Sequence, residues 1–326
     1  MVYQDWNRVI IPVLMGGKMS GHNKIRKSIV VSMYNAGPAI LEILDKMFFP
    51  SLIRQADSLS QIILINDCSP LRKETQKLVE NYLPELRGFG DVKYIENEQN
   101  LGFGGSYNKG LMMAEGDVVI PVNDDVYFTL GSLESLAKVA LLPGVGVCGP
   151  VTDSGYGYQK TQLFKRPKDF SEAELARVEN FASFLKKAME GKVIPNYMLS
   201  GFCLAMPRNV LKKVGYFDDK RFPFGLWEDV DLVRRIRQAG FEVVVDAQTF
   251  IEHGGPYGQS NSILQRPFTA TVRFIVNGLR FGKKWHNHVG TWLEFLYRTW
   301  QTVTDHGTIS AEIREAAKVK NLEIPK

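Results

Sequence analysis

Apolar residues in this chain fall into two alternating patterns: short, nearly continuous runs, and longer stretches with helical spacing. Ser28–Met33, Gln61–Ile65 and Val118–Val122 are short, mostly apolar runs rich in β-branched residues. Such runs, bounded by turn residues, read as strands buried on both faces of an α/β sheet. Val92–Ile95 reads as a shorter strand. Between the runs, Ala39–Ala56 places Ile40, Leu41, Leu44, Met47 and Phe48 at helical spacing, and Leu71–Leu86 reads as a second helix. A third helix opens near Gly102–Gly105 and carries Asn108, Lys109 and Leu111–Ala114. The order β-α-β-α-β-α-β predicts a mostly parallel sheet with right-handed crossovers.

Further along, Leu130–Leu142 is expected to be helical and Val145–Val151 a strand. Residues 152–196 read as an insertion: a Gly/Tyr loop, then an amphipathic helix over Ser171–Met189. Ser171 and Glu174 hold the capping-box positions of that helix. Tyr197–Met206 is expected as a strand, and Phe217–Asp219 and Phe222–Gly225 as loops. A helix starts around Trp227 and runs to Ala239, Phe241–Val245 forms a last strand, and His253 lies just after it. From Asn261 the pattern is helical throughout. Phe268, Val272, Ile275, Val276 and Leu279 make one apolar face; Val289, Trp292, Leu293, Leu296, Trp300 and Val303 make a second. The expected division is an extension at 1–27 with no assigned role, an α/β domain at 28–260 containing the insertion, and a helical region at 261–326.

Composition narrows the class without naming a function. The 326 residues are 44% hydrophobic and 23% charged, ordinary values for a globular protein. A net charge of +5 suits contact with phosphate or anionic lipid but is too small to argue for nucleic acid. Cys68, Cys148 and Cys203 have no metal-ligand spacing and suggest no disulfide framework. No apolar run is long enough for a membrane span, and Met1–Lys27 lacks the form of a secretory signal. A cytoplasmic-type protein is expected. The C-terminal apolar faces, with Gly282-Lys283-Lys284-Trp285-His286 beside them, suit packing on the α/β domain, a second subunit, or a membrane surface reached peripherally.

The candidate chemistry gathers at strand ends. Val118–Val122 runs directly into Asn123-Asp124-Asp125, and open α/β sheets bind ligands at that edge. Oxygen ligands there suit Mg²⁺ or Mn²⁺ carrying substrate phosphates, whereas the ordinary alternative is a solvated Asp pair opening a turn. Asp67, after the second strand, could accept from a ligand N–H or simply close an Asx turn. Ser32 and Tyr34 are placed similarly after the first strand. Gly102–Asn108 lacks the glycine spacing of a dinucleotide fingerprint, although a glycine-rich helix N-terminus still suits phosphate. Trp227-Glu228-Asp229 opens a helix with an apolar platform and carboxylates, one of which could serve as a general base. Acids at that position also favour the helix dipole. His253 could ligate a metal or contact a diphosphate.

Taken in order, Ser32/Tyr34, Asp67, Asn108, Asn123-Asp124-Asp125, Trp227-Glu228-Asp229 and His253 resemble the family 2 glycosyltransferases with the GT-A fold, over roughly residues 28–256. The resemblance is strongest to rhamnosyl- and galactofuranosyltransferase-type members. It implies a GT-A-type, mostly parallel central sheet flanked by helices, with a C-terminal helical extension. Asp125 would hold Mn²⁺ or Mg²⁺, with Asn123 or Asp124 assisting and His253 completing the metal or diphosphate site. Asp67 would bind the nucleobase, Ser32 and Tyr34 would line the nucleoside pocket, and Asn108 would sit near the sugar-phosphate, Asp124 being counted on the donor side. Asp229 would be the base. Trp227 and Glu228, with Gly201 and Phe202, would shape the acceptor side. The implied partners are a nucleotide-diphosphate sugar and a glycan or lipid-linked acceptor, in an inverting transfer. Two departures stand out: Asn-Asp-Asp replaces the commoner Asn-Pro-Asp, and Ser32-Met33-Tyr34 lacks the proline common there.

Two other functions use similar parts. A nucleotidyltransferase would want a basic glycine-rich loop after the first strand, and Ser32–Pro38 has no Lys or Arg. A catalytically inactive sugar- or nucleotide-binding module of a glycan assembly complex is the non-enzymatic alternative; the retained Asp125, Asp229 and His253 speak against it.

Overall fold

A computed structural model describes residues 11–12, 25–55, 60–155, 157–223, 225–257, 267–285 and 309–325. Its strands are β1 (Ile11–Pro12), β2 (Lys27–Met33), β3 (Ser60–Asn66), β4 (Asp91–Glu96), β5 (Val118–Asn123), β6 (Val126–Phe128), β7 (Val145–Val151), β8 (Lys192–Pro195), β9 (Met206–Pro207) and β10 (Glu242–His253). The first sheet runs β4-β3-β2-β5-β9, with its first four strands parallel and β9 antiparallel on β5. This is the mostly parallel sheet that the alternating pattern predicts. β2, β3 and β5 are buried nearly throughout because helices cover both faces, so they carry no polar alternation. The register sets Ser32 beside Asn123 and Met33 beside Asn66, aligning the strand ends that carry the candidate residues.

The helix Gly102–Met113 lies directly on this sheet. A Cβ at Gly110 would come within 2.4 Å of Val30 Cγ1, so only glycine permits that approach. The helix begins inside the glycine cluster.

A second sheet is mixed and centres on β10, which is longer than the predicted Phe241–Val245 and includes His253. The start of β10 pairs in parallel with β7 and antiparallel with β8, and its end pairs antiparallel with β6. β1 extends this sheet from β8. Residues 152–196 thus contribute a strand as well as the helix Glu172–Ala188. Ser171 caps that helix, but Glu174 turns to Lys168 N and Arg177, while Ser171 N donates to Asp169, so only half of the expected capping box forms.

The predicted helix over Ala39–Ala56 contains a π-helical stretch, Leu44–Phe48, just before Pro50. Proline cannot donate to the ladder, and a widened turn accommodates it. The expected strand Tyr197–Met206 is reduced to Met206–Pro207 and isolated bridges at Cys203 and Ala205. The reason is that Ser200 and Gly201 donate their N–H groups to side chains, not to a ladder.

In the C-terminal helix Pro267–Lys284, Val272, Ile275, Val276 and Leu279 face outward, while Asn277 and Phe281 are buried against the body. The inward face is chosen by Phe222 and Trp227, which form an aromatic cluster with Phe281. The second apolar face, Val289–Val303, lies outside the described residues.

Candidate active site

Asp67 is buried at the end of β3. Its Oδ1 accepts from Asn97 Nδ2 at 2.8 Å and Leu101 N at 2.9 Å. Burial raises its carboxyl above the ordinary range, against the pull of those donors. The carboxylate therefore organises the loop that launches the glycine-rich helix. Asn108 on that helix pins a distant loop: its Nδ2 donates to Phe217 O at 2.8 Å and its Oδ1 accepts from Phe217 N at 2.9 Å. Ser32 is half-buried at the same sheet edge, and Tyr34 is exposed beyond it.

Three groups converge where β5 ends. Asp125 Oδ1 lies 3.3 Å from His253 Nε2, and Asn123 Nδ2 is also 3.3 Å from that nitrogen. His253 Nδ1 sits 3.1 Å from Ser154 O, a carbonyl that can only accept, so Nδ1 carries a proton. Nε2 therefore presents its lone pair toward Asp125 unless a second proton or a cation lies between them. Burial pushes the His253 imidazolium down, but the adjacent Asp125 carboxylate raises it, for a net upward shift. Asp124 Oδ2 is buried without a hydrogen-bond partner. Burial, followed by the Asp125 charge, pushes the Asp124 carboxyl up to about 8.

Carboxylate and imidazole donors with a buried unsatisfied oxygen beside them fit a divalent cation. Among the described residues no group of three or more His, Cys, Asp or Glu is arranged to hold one alone. An incomplete protein set is what Mg²⁺ and Mn²⁺ sites ordinarily use when substrate phosphates supply the rest.

The Gly201-Phe202 dipeptide joins this cluster to Asp229. Phe202 is buried and stacks on His253, with centroids 4.4 Å apart and planes 14° from parallel, and its carbonyl accepts from Asn123 N at 2.8 Å. Gly201 N donates to Asp229 Oδ2 at 2.9 Å, while Asp229 Oδ1 accepts from Val230 N at 2.8 Å. A Cβ on Gly201 would lie 2.9 Å from Asp229 Cβ, so the position has room only for hydrogen. Burial raises the Asp229 carboxyl above its ordinary value, and these backbone donors pull it partly back. Glu228 is buried with Oε2 unpartnered, and burial together with the Asp229 charge drives its carboxyl well upward.

Asp229 follows a turn with three successive left-handed residues, Gly225, Leu226 and Trp227, at φ of 92°, 72° and 80°. Leu and Trp in that region cost about 1–2 kcal/mol each. The Trp227 ring, expected as an open platform, is only 4% exposed. It packs against Phe274 and Phe281 and donates from Nε1 to Phe274 O at 2.9 Å.

The chain matches Glycosyl transferase family 2 over residues 28–215, more than half of its length. It belongs to that family. Asp229 and His253 of this glycosyltransferase lie beyond the matched stretch. It is 34% identical to an uncharacterized glycosyltransferase, YwdF, of Bacillus subtilis over 34% of this chain and 37% of that protein. It is 27% identical to the N-acetylglucosaminyl-diphospho-decaprenol L-rhamnosyltransferase of Mycobacterium tuberculosis over 52% of this chain and 61% of that one. The matches thus span less than two thirds of these curated relatives. Among solved structures it resembles the mannosyltransferase PcManGT of Pyrobaculum calidifontis, in complex with GDP-Man and Mn²⁺, at a TM-score of 0.50 and 18% identity, over 92% of this chain and 88% of that one. It also resembles GalNAc-T7 with UDP, GalNAc and Mn²⁺, at 0.50 and 16%, over 73% and 46%. These likenesses establish the GT-A fold.

Of the residues singled out in sequence, Asn123, Asp125, His253, Phe202, Gly201 and Asp229 form one connected set, with Asp124 and Glu228 next to its members in the chain. Asp67 and Asn108 brace the neighbouring loops. Sequence reasoning missed Asp153 and Ser154, which fix His253: Asp153 Oδ1 accepts from His253 N at 3.2 Å, and Ser154 O faces Nδ1. The signal was available, since Asp153 follows the apolar run Val145–Val151 as Asp67 follows its own. Among the described residues no helix is long and apolar enough to cross a membrane.

Proposed function

We propose that this glycosyltransferase moves a sugar from a nucleotide-diphosphate donor to an acceptor hydroxyl with inversion, using Asp229 as general base. The observation that carries this is the Gly201-Phe202 dipeptide, which fastens the Asp229 carboxylate and the His253 ring to one short segment. The donor diphosphate lies on the Asn123-Asp124-Asp125 and His253 side, with the nucleoside over Ser32, Tyr34 and Asp67. Asp125 and His253 would hold a divalent cation, with Asn123 or Asp124 assisting, and the mixed oxygen and nitrogen set favours Mn²⁺ over Mg²⁺. When bound, that cation neutralises charge on the leaving diphosphate. Asp229 accepts the proton of the acceptor hydroxyl, whose oxygen bonds to the anomeric carbon opposite the diphosphate. The bond from that carbon to the phosphate oxygen breaks, and its electron pair leaves with the nucleoside diphosphate. The raised Asp229 carboxyl makes it a better proton acceptor than an ordinary exposed aspartate.

The acceptor reading is supported by the mycobacterial relative, which is named for a sugar on a lipid diphosphate. A glycan on a lipid diphosphate, met from the water side, is the acceptor we assign here.

A melting screen of UDP, GDP, dTDP and their sugars, with and without Mn²⁺, tests the donor side, since a ligand of the folded state raises the melting temperature. A Mn²⁺-dependent rise with one nucleotide class, lost in Asp125→Ala, is expected. No rise with any nucleotide would overturn the donor site and favour a non-catalytic module. Transfer to an N-acetylglucosaminyl-diphospho-lipid, abolished in Asp229→Asn, tests the acceptor side; undiminished transfer by that variant removes Asp229 as base.

A further inference from the structure

The structure assigns a role to the helix Pro267–Lys284: it splints the turn that carries the proposed base, with Asn277 as the positioning residue. This rests on the proposed function only for the role of Asp229. The turn Gly225-Leu226-Trp227 holds three residues in the left-handed region, and two of them bear large side chains that disfavour it. Such a turn persists only where its surroundings over-determine it. Among the described residues, this one helix supplies hydrogen bonds to all three residues of the turn. Asn277 is buried, and its Nδ2 donates to Gly225 O at 2.9 Å and to Leu226 O at 3.3 Å, while its Oδ1 accepts from Arg280 Nη1 at 2.9 Å. One turn earlier, Phe274 O accepts from Trp227 Nε1.

At the other end of the helix, Lys284 Nζ lies 2.8 Å from an Asp231 carboxylate oxygen, and Trp285 Nε1 donates to Asp231 Oδ1 at 3.2 Å. Asp231 is fully buried and also accepts from Arg235. The helix therefore grips the chain immediately before Glu228-Asp229 and again immediately after. Left to its own preference, the turn would relax toward right-handed backbone and carry Asp229 away from Gly201 N. Asn277 acts through the turn, not on a reacting group.

The test combines two readouts on full-length protein. The first is hydrogen exchange of the ligand-free protein across residues 225–231, including the Asp231 amide that donates to Trp227 O. The second is turnover of UDP-, GDP- and dTDP-sugars with Mn²⁺. For Asn277→Ala we expect exchange in this segment to rise at least about tenfold and kcat to fall about 10- to 100-fold, as misplacement of a catalytic group by up to about 1 Å would do. Donor KM should stay within about twofold. Adding Leu226→Gly, which takes the left-handed conformation freely, should restore part of both readouts relative to Asn277→Ala. Should Asn277→Ala fail to fold, Asn277→Asp, nearly isosteric but without the donor, carries the same expectation. Wild-type exchange in a folded variant overturns the splint. So does wild-type kcat in a variant whose segment exchanges faster, provided Asp229→Asn is inactive. If Asp229→Asn turns over normally, the base assignment fails instead, and exchange alone then decides the splint.

Discussion

The residues proposed for the donor, Ser32, Asp67 and Asn123–Asp125, stand on the ends of parallel strands or just past them, each strand locked in register by its neighbours. Asp229 has no such foundation. It sits at the start of a helix whose entry turn is strained, and its carboxylate is aimed by Gly201 N and, at one remove, by a helix much later in the chain. Strand ends place a carboxylate through backbone hydrogen bonds that any buried apolar sequence maintains. A strained turn places one through a few specific side chains, each replaceable by mutation. The proposed base side should therefore be the more fragile half, losing activity to substitutions that leave the proposed donor side intact.

The largest test of that contrast is Asp229→Asn. It should lower transfer on the order of 10²–10⁴-fold while leaving the Mn²⁺-dependent melting shift unchanged, as measured by single-turnover transfer beside the thermal screen. Trp227→Ala should cost about 3–5 kcal/mol in denaturant unfolding, because its ring is buried between Phe274 and Phe281 and its N–H is bonded. An open acceptor platform would instead lose acceptor affinity with little loss of stability. Gly201→Ala should lower kcat about 10²-fold with donor affinity retained, since its methyl would press on Asp229 at 2.9 Å from Cβ and 3.0 Å from Oδ2.

The smallest effect concerns Glu228. Burial raises its carboxyl, so the folded protein keeps a proton that the unfolded chain releases as pH passes the ordinary carboxylate range. Native stability is therefore lost as pH rises. Glu228→Gln removes that loss. Its melting temperature should exceed wild type by about 2–4 °C near pH 8, with the gap closing toward pH 4. A gap independent of pH would mean Glu228 is charged in the folded protein.

The strand-end residues were legible because long apolar runs followed by Asp, Asn or Ser mark the carboxyl edge of a buried sheet, and Asp125, Asp67 and Ser32 all fall there. Asp153 carries the same signal, overlooked because it falls in the stretch 152–196 read as an insertion. The roles of Trp227, Phe202 and Asn277 could not be read. An aromatic beside a carboxylate looks the same in sequence whether its ring faces a sugar or Phe281. An asparagine in an amphipathic helix gives no sign of the carbonyls it will cap.

By itself the sequence determined the parallel sheet, the alternation of strands and helices, and the family, since hydrophobic periodicity and strand-end chemistry are local properties of the chain. Only the tertiary structure decided that β10 runs on to deliver His253 to Asp125, and that Gly201-Phe202 ties Asp229 to that cluster. The inward face of the C-terminal helix was likewise decided there. These depend on which distant groups satisfy one another's hydrogen bonds and fill one another's space, and a linear pattern does not encode that pairing.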